Sequence, residues 1–198
     1  MSVSLSKGQK ISLDKEAGSG LKEVIMGLGW DAKKSGGGGF LGGLFGGGGG
    51  GDIDLDASCV LFDEKGEMVD TVWFRQLRSK DGSITHTGDN RTGAGEGDDE
   101  QIIVDLSAVP QTVKTLVFTV NSFTGQTFSQ VDNAFCRIVD RKTNKEVAKY
   151  NLSVQGDHTA QVMAKLYREN GAWQMQAIGE NARGRTFKDL MPVLQSSL

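Results

Sequence analysis

Apolar and polar residues alternate with a period of two along most of the chain. Ala57, Cys59 and Leu61 interleave with Ser58, Val60 and Phe62. Ile102, Val104 and Leu106 do so with Ile103 and Asp105, and Leu116, Phe118 and Val120 with Thr115, Val117 and Thr119. The pattern returns at 134–139, 160–167 and 173–178. Successive side chains of a pleated strand point to opposite faces, so this spacing predicts strands with one buried face. Between the runs stand Asp63-Glu64-Lys65-Gly66, Asp81-Gly82 and Asn170-Gly171, residues that tolerate the positive φ of tight turns. Short strands punctuated in this way predict an all-β fold, an antiparallel β-sandwich, occupying 1–198 as one domain. Helix is expected only near the end, where Phe187, Leu190, Met191 and Leu194 recur at helical spacing. Thr186 and Asp189 resemble a capping box, and Pro192 is expected to cut that helix short or kink it. Such a helix would cover an edge or an end of the sandwich.

Residues 36–51 break the alternation. Twelve of the chain's 28 glycines fall here, and glycine loses the most backbone freedom on ordering, so a loop insertion is predicted. Its four apolar residues, Phe40, Leu41, Leu44 and Phe45, admit two readings. They rest on the protein's own surface, or they form an apolar hook for a partner or a membrane.

Charge and cysteine usage narrow the function classes. A formal net charge of −3 argues against a nucleic-acid-binding face, which needs a basic stripe. Cys59 and Cys136 lie in apolar runs, so they read as packed thiols of a reducing compartment rather than a disulfide framework. No apolar stretch has the length of a signal peptide or a membrane span, which predicts a cytoplasmic protein with no transmembrane segment. His86 and His158 belong to no cluster with metal-ligand spacing. His86 reads as a solvated edge position or as a support for the acidic segment that follows it. No Gly-Lys-Ser/Thr closes the glycine run, which excludes a P-loop. Without a catalytic constellation, the chain is expected not to be an enzyme.

The chemistry concentrates in residues 88–100. Asp89, Glu96, Asp98, Asp99 and Glu100 face a single Arg91, so this short segment outweighs the acidic excess of the whole chain. Calcium takes six to eight oxygens from carboxylates, amide and backbone carbonyls and water. The segment offers five carboxylates, the Asn90 amide and the Thr92 hydroxyl, with Gly93, Gly95 and Gly97 free to curl carbonyls inward. It is not an EF-hand, because Arg91 and Gly93 stand where oxygen side chains are required. Asp52, Asp54 and Asp56 have strand spacing and share one face, and Asp31 precedes the glycine insertion. On the residues alone, a cation site and a set of solvated acids both remain open.

The segments GLGWD (27–31), DIDLDAS (52–58), GDNRTGAGEGDDEQI (88–102), VFTVNSFTGQTF (117–128) and NAFCRIVD (133–140) resemble, in this order, the signature blocks of the TerD family. The glycine-rich stretch before DLDASC and the run VWFR (72–75) resemble its TerZ branch. The resemblance implies a calcium-binding β-sandwich associated with tellurite and stress resistance, acting as a Ca²⁺-dependent binding or scaffolding module. An alternative is a Ca²⁺-triggered membrane-association module using 36–51. Two calcium ions are implied, with Asp31, Asp54, Asp56, Asp89, Asn90, Thr92, Gly95, Glu96, Gly97, Asp98, Asp99 and Glu100 as metal ligands. The implied partners are other proteins of a stress-resistance complex at the inner-membrane surface. Thiol chemistry of Cys59 or Cys136 on tellurite is not expected, since buried thiols react poorly.

Overall fold

The computed structural model describes residues 2–17, 21–32, 54–88, 97–152 and 156–198. The glycine insertion 36–51, with its two readings, lies outside them. Twelve strands appear in the described residues: β1 (Val3–Leu5), β2 (Lys10–Ser12), β3 (Glu23–Ala32), β4 (Leu55–Phe62), β5 (Met68–Val72), β6 (Ile84–His86), β7 (Glu100–Asp105), β8 (Thr115–Ser122), β9 (Val131–Asp140), β10 (Lys145–Asn151), β11 (Ala160–Glu169) and β12 (Ala172–Ala182). Two short helices accompany them, α1 (Leu13–Ala17) and α2 (Met191–Ser196). The strands form two six-stranded sheets, in the orders β1-β10-β9-β3-β7-β6 and β2-β12-β11-β8-β4-β5. Every pairing is antiparallel except that of β1 with β10. This is the β-sandwich that the alternation predicts.

The core follows from that alternation. Leu55, Ala57, Cys59 and Leu61 of β4 and Leu116, Phe118 and Val120 of β8 point into the space between the sheets. They meet Val24, Met26, Leu28 and Trp30 of β3 and Ile102 and Val104 of β7. Residues of opposite parity, Val60, Phe62 and Val117, form a second cluster with Val162, Phe187, Leu190 and Leu194 on the far side of the second sheet. The C-terminal segment therefore covers a face of the sandwich, not an edge or an end. Pro192 also acts differently from expectation, standing in the first turn of α2. Its missing N–H has no partner there in any helix and its fixed φ suits that turn, so it starts the helix instead of breaking it. The capping pattern survives one turn earlier, where Asp189 Oδ2 accepts from the backbone N–H groups of Arg185 and Thr186.

The hairpin between β11 and β12 turns at Asn170 and Gly171, with φ of 52° and 80°, as a two-residue primed turn requires. Among the described residues no helix is long and apolar enough to cross a membrane.

One core-edge residue makes the fold sensitive to acid. His158 is 7% exposed and stacks on Phe128 with ring centroids 4.7 Å apart. Burial holds its imidazole below the usual histidine range. The unfolded chain therefore binds its proton more readily, and native stability falls as the pH drops through the unfolded value, about 6.5. Urea unfolding at pH 7.5 and pH 5.5 measures this. His158→Gln is expected to shrink the stability difference between the two pH values, and an undiminished difference would count against this assignment.

Candidate functional site

β7 begins at Glu100, whose side chain turns inward and is fully buried. Buried carboxylates need donors. Glu100 Oε2 accepts the backbone N–H of Ala57 on the opposite sheet at 2.6 Å. The ladder between β4 and β5 runs only from Cys59 to Phe62, so Ala57 lies on a stretch of β4 beyond β5, and a carboxylate takes the place of a neighbouring strand. His86 Nε2 lies 3.3 Å from the same oxygen. Its Nδ1 accepts the N–H of Gly88, so in the neutral ring the proton sits on Nε2, facing Glu100. His86 is 2% exposed. The solvated-edge reading is thus overturned, and His86 is an inner support of the acidic segment.

On the first sheet, alternation puts Leu28 and Trp30 in the core and Gly27 and Gly29 on the outer face. These two glycines make a flat floor. A Cβ on Gly27 would fall inside the Asp98 carboxylate. A Cβ on Gly29 would lie 2.5 Å from Phe135 Cζ and 2.7 Å from the Gly97 carbonyl oxygen. The chain entering β7 therefore lies directly on β3. Asp99 donates its N–H to the Leu28 carbonyl at 2.8 Å, and its Oδ2 accepts the Trp30 N–H at 2.9 Å. One residue further along β3, Asp31 Oδ2 accepts from Asn133 Nδ2 at 2.8 Å.

Negative charge accumulates here. Burial, and then the neighbouring charges of Asp31 and Asp98, raise the Asp99 carboxyl above the ordinary aspartate range, against the lowering effect of the Trp30 N–H. Asp98 is answered by a guanidinium: Arg137 Nε donates to Oδ1 at 2.7 Å and Nη2 to Oδ2 at 3.2 Å. Gln101 Nε2 adds a third bond at 3.1 Å. Across the gap, Asp56 is 5% exposed and sits opposite Asn121 of β8, with Asp54 just before β4.

The expected ligands thus fall into groups. Asp31, Gly97, Asp98 and Asp99 meet on the first sheet, and Glu100 bridges to the end of β4 that carries Asp54 and Asp56. Asp89, Asn90, Thr92, Gly95 and Glu96 lie outside the described residues. Among the described residues, no three His, Cys, Asp or Glu side chains converge closely enough to hold a metal ion. Sequence reasoning missed Arg137 and the buried place of His86. Alternation around Cys136 does put Arg137 on the outer face, but nothing local names Asp98 as its partner. Both thiols are fully buried, and burial pushes Cys136 up to about 12 and Cys59 higher still, leaving almost no thiolate at neutral pH.

Asp98 is held from two directions, which makes a testable pair. Arg137→Gln is expected to cost about 2 kcal/mol, the usual worth of a charge-assisted bond whose partner stays buried. Gly27→Ala is expected to cost at least as much by displacing the same carboxylate. Since both act on Asp98, the double variant should lose less than the sum in thermal or urea unfolding; strict additivity would refute the shared cause.

With the geometry in place, comparison with known proteins is informative. The family model described as TerD domain matches residues 1–192. The chain is 54% identical to tellurium resistance protein TerZ of Serratia marcescens, covering 95% of this chain and 94% of that protein. It is 42% identical to general stress protein 16U of Bacillus subtilis (strain 168), over 93% of each. The fold resembles the crystal structure of a homologue of telluride resistance protein (TerD) from Streptomyces coelicolor A3(2), with a TM-score of 0.65, 22% identity, and coverage of 83% of this chain and 92% of that one. The chain belongs to the TerD family of tellurium-resistance and stress-response proteins.

Proposed function

We propose that this TerD-family chain is a calcium-binding module that uses the cation to order its acidic segment and present a surface to a partner protein of a stress-resistance assembly. The observation that carries the reading is the placement of Asp31 and Asp99 together on the first sheet, with Glu100 bridging to the end of β4 that bears Asp54 and Asp56; burial, and then the charges of Asp31 and Asp98, raise the Asp99 carboxyl. Carboxylates crowded in this way repel, and a divalent cation removes the repulsion. The donor chemistry fits: the groups are hard oxygens, which suit calcium, and neither cysteine lies among them. Asp31, Asp54, Asp56, Asp99 and Glu100 would hold the metal together with Asp89, Asn90, Thr92, Gly95, Glu96 and Gly97. Asp98, bonded to Arg137, would instead anchor the segment to β3. The bound ion supplies charge neutralisation and a fixed loop geometry. Two ions are the expected stoichiometry.

Calorimetric titration of chelator-treated protein with Ca²⁺ tests the reading. At a hundredfold excess over Kd, binding to the native state alone adds about 2.7 kcal/mol, which corresponds to a rise of roughly 5–10 °C in Tm for a chain of this size. Asp56→Asn combined with Asp99→Asn should abolish that rise while leaving the metal-free protein no less stable, because repulsion is relieved. No heat and no Tm shift at millimolar calcium would sink the proposal.

A further inference from the structure

The outer face of the second sheet carries a feature that calcium binding does not use. Gln176 of β12 is in register with Lys10 of β2 on one side and with Lys165 of β11 on the other. The three side chains therefore stand in a row across adjacent strands. The alternating positions beside them, Ile11, Leu166, Met175 and Ala177, point into the core, which places the row on the opposite face. With neighbouring strands about 4.8 Å apart, the row spans roughly 10 Å. It floors a cavity of about 450 Å³ walled by Ser196, Ser197 and Leu198, with Lys7 also lining it and no Asp or Glu side chain among its walls.

Three observations show that no acidic side chain answers the row's positive charge, which leaves the main-chain carboxylate of Leu198 as the one anion among the cavity's described walls. Lys7 is answered by Glu180 at 3.0 Å, but Lys10 and Lys165 take part in no ion pair among the described residues. Lys165 is 8% exposed, and burial, followed by the charge of Lys10, lowers its amine below the ordinary lysine range. The two ammonium groups share the Tyr167 ring, at 5.7 and 5.3 Å from its centroid, which softens their repulsion without neutralising it. A plain structural role explains only part of this. Lys165 Nζ donates to the Ser197 carbonyl at 2.7 Å, tying down the end of α2 and using one of its three N–H bonds. That role gives no reason for Lys10 or for Gln176, whose carboxamide makes no hydrogen bond among the described residues. The hydroxyls of Ser196 and Ser197 both donate to the Val193 carbonyl, so the available donors are the two ammonium groups and the carboxamide.

We propose that Lys10, Gln176 and Lys165 form a binding site for a phosphate-class oxyanion, either free in solution or as a phosphomonoester head group at a membrane surface. Several oxygens on one small anion can meet donors approaching from three neighbouring strands, and lysine serves such ligands as a mobile point charge. The ligand's negative charge offsets the like-charge pair that the sheet holds together.

The test uses the full chain freed of calcium by a chelator, so that its outcome is independent of the acidic end. In one arm inorganic phosphate is titrated by calorimetry. In the other, flotation is measured with phosphatidylcholine vesicles with and without phosphatidic acid. Lys10→Gln is the main variant, because the Lys10 side chain is exposed and its ammonium makes no hydrogen bond among the described residues, so the fold should survive. Lys165→Met is the second, and Lys145→Gln, an exposed lysine on the other sheet, is the control. A loss of phosphate affinity of fivefold or more in Lys10→Gln and Lys165→Met, with Lys145→Gln unchanged, supports the site and a free oxyanion. The same pattern in the vesicle arm alone supports the site and a membrane phosphomonoester. Binding of neither probe, or binding that Lys10→Gln leaves intact or that Lys145→Gln weakens equally, overturns the proposal. Should Lys165→Met fail to fold, Lys10→Gln decides.

Discussion

A carboxylate buried between two sheets is costly unless donors surround it, and Glu100 meets that demand by reaching from one sheet to the other. Its bond to the Ala57 N–H completes β4 where β5 no longer runs beside it, and its contact with His86 fills the remaining space. One side chain thus closes an end of the sandwich and fixes the distance between β7 and the start of β4. The placement of Asp54, Asp56 and Asp99 relative to one another depends on this bridge. Removing it would leave a backbone N–H of β4 without its acceptor in the core, a penalty larger than the mean worth of a hydrogen bond.

The acids at that end differ in how their charge is answered, and the differences suggest separate roles. Asp98 is held by a two-pronged guanidinium and lies on the glycine floor of β3, so its work is to fasten the segment. Asp31 and Asp99 are met by neutral amide donors, which stabilise a carboxylate without cancelling its charge. This end of the sandwich is where the proposed cation would sit. Arg137 neutralises one of these acids directly.

The second sheet bears charge of the opposite sign on its outer face. α2 and the segment before it bury Val60, Phe62 and Val162 over part of that face, and the lysine row stands beside the end of the helix. The molecule therefore separates an acidic end, formed where strands from both sheets terminate, from a basic patch on one sheet. The two thiols lie in the interior between them and take no part in either.

The sequence by itself determined six of the strands and the sandwich, because burial of one face imposes a period of two that a local window reveals, and its signature blocks carried the resemblance to the family. It also determined which residues could be hard-oxygen donors, since that depends on side-chain type alone. Only the tertiary structure decided that Asp98 belongs to Arg137, that His86 is buried against Glu100, and that Lys10 and Lys165 flank Gln176. The Lys165–Gln176 pairing follows from the Asn170-Gly171 turn, which fixes the register of its hairpin, but the others join strands far apart in the chain, which no local window contains. The helix was half legible for the same reason. Its apolar spacing could be read, but Pro192 becomes a start rather than a stop only once the preceding residues are seen packed on the sheet as turns.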